Sequence, residues 1–129
     1  MKLRLRNNSI RLRLDQEDVK NFIENKKVTE KIYFQPNMPA LSYSISWERY
    51  AEKVSAEFVG QDILINVPDK IAKKWVQDSE VGFEADQQID GNQSLQILIE
   101  KDFKCLTKRP GEDESKSFPN PSKVHPSIS

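Results

Sequence analysis

Hydrophobic and polar residues alternate with period two at the start of the chain. Leu3 and Leu5 interleave with Lys2, Arg4 and Arg6, and after Asn7-Asn8 the alternation resumes as Ile10, Leu12 and Leu14 against Arg11 and Arg13. Period two predicts half-buried strands, and Asn-Asn is turn chemistry that tolerates positive φ, so residues 2–14 read as a β-hairpin. The period then changes. Asp15 stands where a helix N-cap belongs, Glu17 and Asp18 fall in the first turn, and Val19, Phe22 and Ile23 follow at helical spacing up to Asn25-Lys26-Lys27. Val28, Ile32 and Phe34 suggest a third strand, with Glu30 interrupting its apolar face. Pro36-Asn37-Met38-Pro39 reads as a loop, and Leu41, Tyr43, Ile45 and Trp47 as a fourth strand.

The same succession then repeats. Val54, Ala56 and Phe58 alternate, Gly60-Gln61 takes the turn, and Ile63, Ile65 and Val67 align with Ile10, Leu12 and Leu14. Pro68-Asp69 opens a second helix, Pro being tolerated at a helix start because no donor is needed there. Ala72, Trp75 and Val76 fall on Val19, Phe22 and Ile23. Val81 falls on Val28, with Phe83 and Ala85 continuing that strand. After Asp90-Gly91-Asn92, Leu95, Ile97 and Ile99 match Leu41, Tyr43 and Ile45 with a shift of one residue. Each half is therefore strand, strand, helix, strand, strand. The expected architecture is α+β and β-rich, one domain over residues 1–106 built of repeats 2–47 and 55–101, joined by a crossover at Trp47–Lys53. A Pro-rich acidic tail, 107–129, follows it.

Each half resembles the swapped-hairpin fold of AbrB/MazE-like proteins, the transition-state regulators and antitoxins. The likeness rests on Asn8-Ser9 and Leu14 in the first half and on Gly60 and Val67-Pro68 in the second. Asp15 and Asn7 depart from the family's Pro and Gly, and Gln61-Asp62 from its Asn-Ser. In that family two chains interleave into one barrel, so two halves fused in one chain imply a pseudo-two-fold barrel that closes without a partner and a monomer. Over the whole chain, KLRLRNNSIRLRL, VSAEFVGQDILINVP and IEKDFKCLTKRPGEDESKSFPNP resemble a family of small uncharacterised bacterial proteins. That resemblance implies no particular activity.

Composition narrows the functional classes. Twenty basic residues balance twenty acidic ones among 129, so no global field announces a nucleic-acid or membrane partner. The charged start has no apolar run that suits a signal peptide or a spanning helix. One cysteine excludes an internal disulfide and fits a reducing cytosol, hence a cytoplasmic expectation. Cys105 and His125 are each the only residue of their type, so the usual four N/S metal ligands cannot be assembled from one chain. No nucleophile–base pattern or phosphate-cradling glycine loop is present, and no cofactor, metal or catalytic residue is expected.

Charge patterning is more informative. Lys2, Arg4, Arg6, Arg11 and Arg13 share one face of the first hairpin, whereas the equivalent positions of the second copy hold Glu57, Val59, Leu64 and Asn66 for the four arginines. Arg4, Arg6, Arg11 and Arg13 are the candidates for nucleic-acid or anion contact, because a guanidinium fork suits phosphate oxygens and guanine edges. The resemblance to DNA-binding regulators implies such contacts closest to Arg4 and Arg13. A symmetric DNA reader would lack half its basic surface here. The leading expectation is therefore a non-catalytic module that binds a protein partner, with a DNA-binding regulator or antitoxin-like module second and a small-ligand or metal-dependent enzyme third. In the tail, Glu112, Asp113 and Glu114 complement the arginines, and Phe118 is the one bulky anchor. Docking of Phe118 on the domain, with the carboxylates near the hairpin, is the corresponding expectation.

Overall fold

The computed structural model describes residues 1–77 and 79–103. Eight strands and two helices follow in the order β1 (Lys2–Arg6), β2 (Ser9–Leu14), α1 (Gln16–Asn25), β3 (Lys27–Ile32), β4 (Leu41–Glu48), β5 (Ser55–Val59), β6 (Asp62–Pro68), α2 (Asp69–Trp75), β7 (Gly82–Gln88) and β8 (Ser94–Lys101). Strand, strand, helix, strand, strand thus occurs twice, as the alternation predicts. The first turn of each half carries the same backbone signature. Asn7 has φ 53° and Gly60 has φ 60°, residues 53 positions apart in the left-handed region that Asn and Gly tolerate.

The strands form two sheets, in the orders β1-β2-β8-β7 and β3-β4-β6-β5. Each sheet takes one hairpin from each half. The joins are parallel, β2 with β8 and β4 with β6, and the hairpins are antiparallel. Exchanging the two halves in this scheme turns one sheet order into the other. The cross-half registers agree as well. Ile10 pairs with Ile97 and Leu12 with Ile99, while their counterparts Ile63 and Ile65 pair with Tyr43 and Ile45.

The inward rows of both sheets meet in one core. Leu12, Leu14, Ile45, Val67 and Ile99 have no exposed surface, and Ile65 and Ile97 have almost none. Burying each such side chain contributes about 1.5–3 kcal/mol. The helices cap this core with aromatic rings. Phe22 of α1 lies 5.8 Å from Trp75 of α2, edge to face, and 5.4 Å from Trp47 of β4. Phe22 and Trp75, aligned with each other by sequence, therefore pack on one another. Trp47 also joins the halves, since its Nε1 donates to Asp69 Oδ1 at 2.8 Å. That hydrogen bond, followed by one from Lys73, holds the Asp69 carboxyl below its ordinary pKa. Asp15 caps α1 as expected: its Oδ1 accepts from the Asp18 amide at 2.8 Å, and Asp18 Oδ2 accepts from the Asp15 amide at 3.0 Å. Asp18 Oδ2 also lies 2.8 Å from the Met1 amino group, whose pKa is raised because the Asp18 and Glu30 carboxylates outweigh the opposing effect of burial.

Several expectations are corrected. The sheets do not close into a barrel. Among the described residues the edge strands β5 and β7 meet through a side chain: Ala56 N–H donates to Gln87 Oε1 at 2.7 Å, and Gln87 Nε2 donates to the Ala56 carbonyl at 2.8 Å. The third strand ends at Ile32, and Phe34 lies beyond it, exposed. Phe83, not Val81, is the counterpart of Val28, because Phe83 pairs with Ile99 as Val28 pairs with Ile45. Val81 instead offers its carbonyl to Trp75 Nε1 at 3.3 Å. Trp47 belongs to β4, so the crossover is residues 49–54. Ile23 is exposed, and Asp18 with Phe22 supplies the buried face of α1.

Candidate binding face

The register places all five basic residues of the first hairpin on the outer face of sheet β1-β2-β8-β7. Arg4 sits directly opposite Arg11, and Lys2 opposite Arg13. Like charges facing each other across antiparallel strands repel, so counter-charge is needed nearby. It comes from the other half of the chain. The parallel join sets Arg13 beside Glu100, and Glu100 Oε1 accepts from Arg11 Nε at 2.7 Å and from Arg13 Nε at 3.4 Å. Burial pushes the Glu100 carboxyl up, but hydrogen bonding and charge from Arg11, then from Arg13, outweigh it and leave the pKa below the ordinary glutamate value. Lys2 Nζ lies 2.9 Å from Asp102.

Arg4 and Arg6 are exposed and make no ion pair among the described residues. Across the sheet, β7 presents Glu84 and Asp86 on the same face, also exposed and without a salt bridge among those residues. Reading across the strands, one row is Arg4, Arg11, Leu98, Glu84 and the next is Arg6, Ser9, Gln96, Asp86. A depression of about 250 Å³ lies over these rows, with arginines on one side and carboxylates on the other. The face is thus bipolar: basic along β1 and β2, acidic along β7 and β8.

The second sheet is charged differently. Its matching rows are Glu57, Leu64, Ser44, Thr29 and Val59, Asp62, Ser42, Lys31, so no row carries opposite charges at its two edges. Asn66 Nδ2 donates to Glu57 Oε1 at 3.0 Å and to Ser55 Oγ at 3.2 Å, so uncharged, hydrogen-bonded Asn66 and Ser55 take the places of Arg13 and Lys2. In these registers Glu57, Val59, Leu64 and Asn66 stand in the second hairpin where Arg4, Arg6, Arg11 and Arg13 stand in the first.

All four candidate arginines therefore meet on one face. Sequence reasoning missed Glu100, Glu84 and Asp86. Only the parallel β2–β8 join, a tertiary feature, brings them beside residues some 75 to 90 positions earlier. Glu112, Asp113, Glu114 and Phe118, together with Cys105 and His125, lie outside the described residues. A wider groove beside α1, lined in part by Val19, Ile23, Val76 and Phe103, opens next to the last described residue. Among the described residues no group of three His, Cys, Asp or Glu side chains converges to hold a metal, and no helix is long and apolar enough to cross a membrane.

Fold and face together define an α+β domain of two four-stranded sheets that share hairpins between halves, with one charged, bipolar outer surface. By its sequence the chain belongs to the family described as family of unknown function (DUF7009), whose model matches residues 1–122. No curated protein and no solved structure matches it.

Proposed function

We propose that the protein is a non-catalytic binding module that engages a protein partner through the outer face of sheet β1-β2-β8-β7. The observation that carries this reading is the placement of Glu84 and Asp86 on the same face as Arg4 and Arg6. Protein surfaces meet through complementary patches of both signs. A nucleic-acid backbone offers one sign only, and two carboxylates in its path repel it.

Magnitude supports the same choice. Arg11 and Arg13 already hold Glu100, and Lys2 holds Asp102, which leaves Arg4 and Arg6 for phosphate. Two phosphate contacts correspond to a salt slope of about −1.8 in log K against log salt, whereas strong DNA binders use about 6–10 contacts. Titration of a labelled random duplex at low salt, for the native protein and for Arg4→Glu/Arg6→Glu, tests this. The expected result is binding no tighter than about 10⁻⁴ M with a shallow slope. A slope steeper than about −4 that collapses in the variant would reverse the ranking and establish the DNA-regulator reading.

A further inference from the structure

We infer that this bipolar face takes a second copy of the same chain, the two copies stacking sheet on sheet about a two-fold axis parallel to the strands. The inference rests on the protein-binding reading of the face and names the partner.

Sheets stack face to face at a separation of about 10 Å, with strand directions within about 30° of each other. A two-fold axis along the strands, lying between β2 and β8, exchanges left for right and keeps each row level. It sets β1 of one copy over β7 of the other. Arg4 then faces Glu84 of the second copy, because both belong to the row Arg4, Arg11, Leu98, Glu84. Arg6 faces Asp86 in the same way, through the row Arg6, Ser9, Gln96, Asp86. The contact is isologous, so each pair occurs twice.

The middle columns fit as well. Arg11 and Arg13 enter already ion-paired to the shared Glu100 of their own chain, which offsets one of their two charges, and half-buried Leu98 supplies the apolar centre. The charges without an ion pair among the described residues are those of the outer columns, Arg4 and Arg6 on β1 and Glu84 and Asp86 on β7. An axis across the strands would set arginine over arginine, so charge selects the orientation. In the other sheet the same operation would set Glu57 over Thr29 and Val59 over Lys31, so its edge strands bring no opposite charges together.

The monomer expected from the sequence concerned strand edges, and this contact uses a face instead. Four strands about 4.8 Å apart and five residues of about 3.3 Å each give a footprint of roughly 300 Å². That is well below the roughly 800 Å² per partner of a standard interface. The association is accordingly weak, reversible and sensitive to salt.

Sedimentation equilibrium on the full chain tests it, at concentrations up to about 1 mM in low and high salt. The native protein should move from 15.0 kDa toward twice that mass at low salt and return to 15.0 kDa in high salt. Arg4→Glu/Arg6→Glu and Glu84→Arg/Asp86→Arg should each stay monomeric, with unchanged circular dichroism. Mixing the two variants should restore the doubled mass, because acidic outer columns then meet basic ones. The variant carrying all four changes should associate with itself again. A native protein that stays monomeric throughout, or association that neither pair of changes weakens, overturns the inference. Those failures leave the protein-partner reading standing, since only phosphate binding in the duplex titration removes that.

Discussion

Replacing Gln87 with alanine removes the side chain that hydrogen-bonds edge strand β7 to edge strand β5. The amide of Gln87 acts there as a substitute strand, accepting from Ala56 N–H at 2.7 Å and donating to the Ala56 carbonyl at 2.8 Å. A hydrogen bond contributes about 0.5–1.5 kcal/mol net, so two contribute about 2 kcal/mol. Gln87 is only half-buried, and water can reach the vacated groups. The expected loss is therefore about 1–2 kcal/mol. For a domain of this size that corresponds to a fall in Tm of roughly 4–16 °C, at about 4–8 °C per kcal/mol. Hydrogen exchange provides a local reading. The Ala56 amide should exchange about 5–30-fold faster, while amides in the β2–β8 join change no more than global stability requires. Gln87→Glu separates the two bonds: its carboxylate can still accept from Ala56 N–H but faces the Ala56 carbonyl without a donor. Unchanged Tm together with unchanged Ala56 exchange in Gln87→Ala would refute the side-chain closure of this seam.

Two further outcomes follow from the same geometry. Gly82→Ala should destabilise the protein, because a Cβ there would stand 2.5 Å from the Ile99 carbonyl oxygen. The usual gain of about 0.4–1 kcal/mol from a stiffer unfolded chain cannot offset a backbone collision, and thermal melting should show a lower Tm. Glu100→Gln should remove a stabilising contribution that depends on pH. The carboxyl is depressed in the folded state, so its contribution is present above the ordinary glutamate pKa and is lost as pH falls through the folded value. Melting curves of native and variant protein should therefore differ at neutral pH and converge in acid, and equal differences at both would contradict the Arg11–Glu100–Arg13 assignment.

The strands and helices were legible in the chain because each rests on local chemistry. Asp15 caps α1 by reaching its own helix, and Asn7 and Gly60 mark the two turns by the φ angles they permit. Ile10, Leu12 and Leu14, with their counterparts Ile63, Ile65 and Val67, reveal the buried faces by period two. The equivalence of Phe22 and Trp75 as buried helix residues was legible too, although their contact with each other was not. The alignment of Val81 with Val28 failed because the segment after α2 is longer than its counterpart, and spacing does not record where extra residues are absorbed. Closure was misjudged for a different reason. Whether two edge strands meet by backbone or by a glutamine amide depends on how the sheets stack, and no short-range pattern encodes that. The face itself was half visible. The arginines advertise themselves within ten residues, whereas Glu84, Asp86 and Glu100 become their neighbours only through the parallel join of β2 to β8.

That join underlies both the core and the bipolar face, and nuclear Overhauser contacts between backbone protons test it most directly. In a dilute, high-salt sample the expected contacts link Arg11 with Leu98 and Arg13 with Glu100, and in the second sheet Ser44 with Leu64. They should persist as contacts within one molecule when labelled and unlabelled chains are mixed and isotope-filtered. Contacts from β2 to β3 or β4 of its own half, or β2–β8 contacts found only between molecules, would contradict the exchange of hairpins and remove the carboxylates from beside the arginines.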